Sequence, residues 1–64
     1  MTWTKFTLDT VTGPPATWLA NSTQSVQTDR GGGYAPADVE EGWYVTPPNH
    51  DRPLKVLSVE AVTV

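Results

Sequence analysis

Alternation of polar and apolar residues is cleanest at the start of the chain. From Thr2 to Leu8, Thr4, Phe6 and Leu8 fall on one side and Trp3, Lys5 and Thr7 on the other. A period of two predicts a strand, with room to run on to Thr12. Gly13-Pro14-Pro15 ends it, because two prolines donate nothing to a ladder. The last eleven residues, Leu54 to Val64, read as a longer strand: rich in Val, free of Gly and Pro, and fenced by the segment Pro47 to Pro53. At roughly 3.3 Å per residue such a strand spans about 35 Å. Its alternation is broken. Leu54, Val56, Val62 and Val64 point one way, and Leu57, Val59 and Ala61 the other. A strand half buried on one face shows apolar residues in one register only, so both faces here are expected to need cover.

Between these ends the signals are shorter. Trp43-Tyr44-Val45-Thr46 predicts a third strand, and adjacent residues on it face opposite sides. One of Trp43 and Tyr44 therefore belongs to the core and the other to a surface. Ala16 to Ala20 fits either a helical turn opened by Pro15 or a short strand at Thr17 to Leu19, and we read it as the strand. Thr23 to Thr28 is polar on both sides save Val26, which suits an edge strand or one that pairs with another chain. Asp29 to Gly33 reads as a turn or flexible loop, its three glycines implying positive φ or close backbone approach. Pro36 to Glu41, closed by Gly42, fits one helical turn or a turn leading into Trp43. Pro47 to Pro53 is a loop carrying Asn49, His50, Asp51 and Arg52.

Ten Thr and eight Val, with no Ile, tilt the whole chain towards strand. The expected fold is all-β, a single small domain over residues 1–64. It is pictured as a small antiparallel barrel or two-layer sandwich of roughly four or five short strands with Pro/Gly-rich loops.

Composition sharpens this in one respect. Sixty-four residues lie near the lower limit for a self-sufficient core. Small domains compensate with disulfides, a metal or association. The chain has no Cys and one His, which removes disulfides and thiolate metal sites and disfavours a structural zinc. Association is what is left.

Seven acids against four bases give a net charge of −3, and Lys5, Arg30, Arg52 and Lys55 are scattered. Phosphate binding needs clustered cations, so nucleic acid is not an expected partner. No apolar run is long enough to cross a bilayer, and the N-terminus does not read as a secretory signal. No membrane partner is expected, and the expected location is cytoplasmic or in a particle assembled there.

Candidate chemistry is sparse. His50 and Asp51 offer a base beside a carboxylate, but sequence neighbours point apart in extended chain, and an exposed polar loop explains them. Glu40-Glu41 before a Gly reads as a solvated turn rather than a glycosidase pair. Gly31-Gly32-Gly33 lacks the Lys-Ser or Lys-Thr of a phosphate loop, and Asn21-Ser22-Thr23 reads as a turn rather than a glycosylation site. No catalytic residue, metal ligand or cofactor is expected, and the chain is not read as an enzyme. The large aromatics are left, with three readings open for Trp43-Tyr44: core packing, a protein interface or a platform for a ligand.

The expected function is that of a structural or interaction subunit, its partners other protein subunits in a homo-oligomer or larger particle. Trp3, Trp43, Tyr44, Leu57, Val59, Val62 and Val64 are the expected interface. Small, cysteine-free, acidic, Thr/Val-rich composition with Pro-bounded loops is similar to that of accessory proteins of tailed-phage particles, capsid decoration proteins and small tail components among them. That resemblance lies in overall style, without a motif; it implies a place in the virion and assigns no residue a role. A soluble inhibitor or ligand-binding module is the alternative, with Asp38, Glu40 and Glu41 near Trp43 as a charged surface.

Overall fold

The computed structural model describes residues 2–48 and 50–63. Six strands form one antiparallel sheet: β1 (Thr2–Asp9), β2 (Ala16–Asn21), β3 (Val26–Thr28), β4 (Gly31–Tyr34), β5 (Tyr44–Thr46) and β6 (Leu54–Thr63). A single 3-10 turn, Pro36–Asp38, interrupts the series. The spatial order is β2-β1-β6-β5-β3-β4. The all-β class and antiparallel order agree with the sequence. The architecture does not, for this is one open six-stranded sheet rather than a closed barrel or two layers of four or five strands. Closure would pair β2 with β4, but both lie at edges. Strands β3, β4 and β5 have only three or four residues each, too few to carry a ladder round a barrel.

β1 forms because its inward residues Thr4, Phe6 and Leu8 are all buried, as the alternation requires. It pairs with β2 on one side and β6 on the other. Three rows of inward side chains cross this trio: Ala16–Leu8–Val56, Trp18–Phe6–Val59 and Ala20–Thr4–Ala61. In the middle row the rings of Phe6 and Trp18 lie 5.4 Å apart, a cross-strand aromatic pair. The core gathers Phe6, Leu8, Ala20, Val26, Val39, Val45 and Val56, all essentially inaccessible. The sheet therefore bends until β3 and β5 meet the same apolar centre as β1 and β2. The 3-10 turn lies over it, burying Pro36 and delivering Val39. Pro36 at the first turn and two i→i+3 bonds, from Asp38 N–H to Ala35 and Val39 N–H to Pro36, set that turn.

Three expectations are corrected. First, β6 does not need cover on two faces. The β1–β6 register shifts between Thr7 and Leu8: Thr7 faces Ser58, Leu8 faces Val56, and Leu57 is the extra residue of a β-bulge. The alternation skips a beat there, so Val56 and Val59 both face the core. Second, Thr23 to Thr28 is not an edge strand. Only Val26–Thr28 is extended, and it lies between β5 and β4. The segment's first two residues, Thr23 and Gln24, instead close a turn on Asn21. Third, Gly31 to Gly33 is the edge strand β4 rather than a loop. A two-residue turn at Asp29-Arg30 leads into it, held by Thr28 Oγ1, which accepts from Arg30 N–H and donates to the Gly31 carbonyl. Gly31 at φ 125° and Gly33 at φ 81° supply the conformations that the shifted β3–β4 register needs.

Deleting Leu57 should leave a cooperatively folding protein, since the same residues then pair in a regular ladder. A cost of about 1–2 kcal/mol is expected, against about 3–5 kcal/mol for Phe6→Ala. Thermal melts of the two variants compare them directly; loss of cooperative melting on deletion would show that Leu57 is not the phase-correcting residue.

Candidate interaction surface

The sequence-predicted interface residues divide between the two faces of the sheet. Val59 is half-buried beside Phe6, and Trp43 packs half-buried against the core. The Trp43 ring is also occupied: the Arg30 guanidinium sits 4.7 Å from its centroid, and Tyr34 meets it edge-on at 5.3 Å. One face of this ring is thus covered by a cation. Tyr44, next in sequence, turns outward and is 43% exposed, so the predicted division of this pair holds.

The outer face carries the other expected residues. Trp3 and Val62 are direct cross-strand neighbours there, both half-buried. Leu57 projects at the bulge and is partly exposed. Val64 and Asn49 lie outside the described residues. Leu19, 46% exposed, belongs to this face as well. Its position follows from pairing: Lys5 faces Leu19 on β2 and Glu60 on β6, one step along from Trp3. The inward alternation of Ala16, Trp18 and Ala20 was the signal that would have found it.

Another exposed apolar residue, Val11, is 83% exposed at the tip of the β1–β2 connection. It has φ 71°, a region that β-branched residues avoid. The hydrogen bond from Thr12 N–H to the Thr10 carbonyl, 2.8 Å, makes Val11 the centre of a γ-turn of the strained hand. Asp9 Oδ1 accepts from Val11 N–H, and the Thr10 hydroxyl reaches the carbonyls of Gly13 and Pro14. Local bonds and two prolines thus hold a stiff tip.

The backbone offers a further feature. Strand β5 accompanies β6 only at Leu54 and Lys55. Beyond it, Val56 N–H donates to the Trp43 carbonyl at 2.7 Å, and Gly42 N–H donates to the Val56 carbonyl at 2.9 Å. The chain then leaves the sheet at Gly42, whose φ of 93° makes the corner. From Ser58 to Thr63, β6 is paired with β1 alone. Successive residues of a strand direct their N–H and C=O groups to opposite sides. Ser22 N–H bonds the Thr2 carbonyl on the β2 side, so the Thr2–Thr63 pair has its backbone groups pointing away from each other. By alternation Glu60 and Val62 bond β1, and Val59, Ala61 and Thr63 direct theirs outward. Among the described residues nothing meets those outward groups.

The described residues enclose no pocket, and no three His, Asp or Glu side chains among them converge. His50 and Asp51 are exposed, with His50 N–H closing a turn onto the Pro47 carbonyl. Glu40 and Glu41 are exposed on the turn before Trp43. Asn21 Oδ1 accepts from Thr23, the turn role read from the sequence. What the surface assembles is therefore a strand edge flanked by apolar side chains. No protein-family model, curated protein or solved structure matches the chain.

Val11→Gly should raise stability. Relief of left-handed strain, on the order of 1–3 kcal/mol, outweighs the roughly 0.5–1 kcal/mol entropic cost of Gly. A net gain of about 1 kcal/mol corresponds to about 4–8 °C in melting temperature for a domain of this size. An unchanged or lower melting point would contradict the strain.

Proposed function

We propose that this chain is a non-enzymatic structural subunit that works through protein–protein assembly. The observation that supports it is the open edge of β6, a row of backbone donors and acceptors at Val59, Ala61 and Thr63 that is unpaired among the described residues. Edges of this kind recruit strands from other chains, main-chain bonds giving affinity and alternate side chains giving selectivity. Trp3, Val62 and Leu57, with Tyr44 further along the outer face, supply apolar and aromatic contact beside it. The stiff loop tip at Val11 is a second, separate contact point.

Within that class we place the protein among the accessory components of tailed-phage particles, decoration or small tail proteins. Compositional likeness is the support for this finer reading. The alternative, a soluble inhibitor, draws on the exposed acidic side chains of Asp38, Glu40 and Glu41.

As a particle component, the chain should be recovered from its source in a large assembly at fixed copy number. Val62→Asp should lower its incorporation about tenfold, equivalent to roughly 1.4 kcal/mol, while His50→Ala leaves it unchanged. Quantitative mass spectrometry of sedimented material measures both. Recovery wholly as a free chain would overturn the proposal, and recovery bound to one host protein would favour the inhibitor.

A further inference from the structure

We infer that the open edge of β6 pairs with the same edge of a second copy of this chain, antiparallel and centred on Ala61. The inference rests on the assembly reading above and names its partner. Its first ground is the contrast between edges. Natural sheets protect exposed edges with prolines, charges, bulges or departures from extended geometry. β4 is four residues long, with positive φ at Gly31 and Gly33. β2 follows Pro14-Pro15, and its Asn21 N–H is taken by the Gln24 side chain. β6 between Val59 and Thr63 has no proline, no bulge and no positive φ. Its one charge, Glu60, stands opposite Lys5 in the β1–β6 register.

The second ground is register. A two-fold axis through Ala61 places Val59 against the partner's Thr63, Ala61 against the partner's Ala61, and Thr63 against the partner's Val59. All of these have outward backbone groups, so each is a hydrogen-bonded pair. Glu60 then meets the aliphatic side chain of the partner's Val62, with no like charges opposed. The neighbouring registers are worse. Centring on Glu60 sets two carboxylates directly opposite, which is destabilising. Centring on Val59 drives the partner's Thr63 into the place of Tyr44, which already pairs Lys55. Centring on Val62 opposes two residues whose backbone groups are spent on β1, and among the described residues it bonds only Ala61 with the partner's Thr63. The pairing is isologous and closes at the dimer, covering both open edges at once.

Sedimentation equilibrium on the purified chain should give twice the 7.0 kDa mass of one copy. Ala61→Pro removes an N–H that points away from β1, so the fold should persist while the mass halves. Ala61→Cys gives a second reading that does not depend on tolerating proline. Hydrogen-bonded pairs lie about 5.5 Å apart at Cα, within the range a disulfide spans. The chain has no other Cys, so this variant should oxidise to a covalent dimer, and Thr17→Cys on β2 should not. A monomer at all concentrations, or a dimer indifferent to both substitutions at Ala61, overturns the inference. If a monomer still enters a larger assembly and Ala61→Pro prevents it, self-pairing is overturned while the assembly reading stands. If Ala61→Pro changes neither, both fall.

Discussion

The pairing of β1 with β6, bulged at Leu57, is the constraint on which the rest of the structure depends. It joins the first strand to the last and fixes which side chains of each face inward. Were the same sequence paired without a bulge, a continuous β6 with Val56 against Leu8 would place Leu57 against Thr7 and Ser58 against Phe6. A hydroxyl would then stand where the core has Val59, and Val59 would turn out to solvent. The bulge keeps Val56 and Val59 on one apolar face, and with them the row that runs from Trp18 through Phe6. Bulges also bend and twist the strand that carries them. Such bending suits a sheet whose short distal strands must fold towards the same core.

The bent sheet has an asymmetry built into it. On one side of β6, β1 runs beside nearly its whole length. On the other, β5 pairs through two residues, Tyr44 and Val45, and the chain departs at Gly42. That departure is what brings Val39 and Pro36 over the core, in place of a second sheet. The turn that seals the interior is thus the reason the far half of β6 is left with one neighbour. Core closure and edge exposure are two consequences of one corner. An assembly that adds a strand there completes the sheet without disturbing the packed centre.

Much of this was legible in local pattern, and the rest failed for identifiable reasons. Thr4, Phe6 and Leu8 announced β1 because each position obeys one period. Trp43 and Tyr44 divided between core and surface because neighbours on any strand must. The imperfect alternation of the last strand was visible too, but a bulge and a strand buried on two faces leave the same mark in one sequence. Only the partner's register distinguishes them. The strand Gly31–Tyr34 ran against propensity, being imposed by the turn at Asp29-Arg30 and by pairing with β3. The open edge itself could not be read from the chain. It depends on which strands become neighbours across long stretches of sequence, and on where the chain turns away.

The central claim is that β6 from Val59 to Thr63 is hydrogen-bonded on one side only within a single copy. Residue-resolved amide hydrogen exchange across a dilution series tests it most directly. The account predicts that Glu60 and Val62 stay protected at every concentration, while Val59, Ala61 and Thr63 exchange freely when dilute and become protected as chains associate. Equal protection of all five amides in the dilute protein would contradict it.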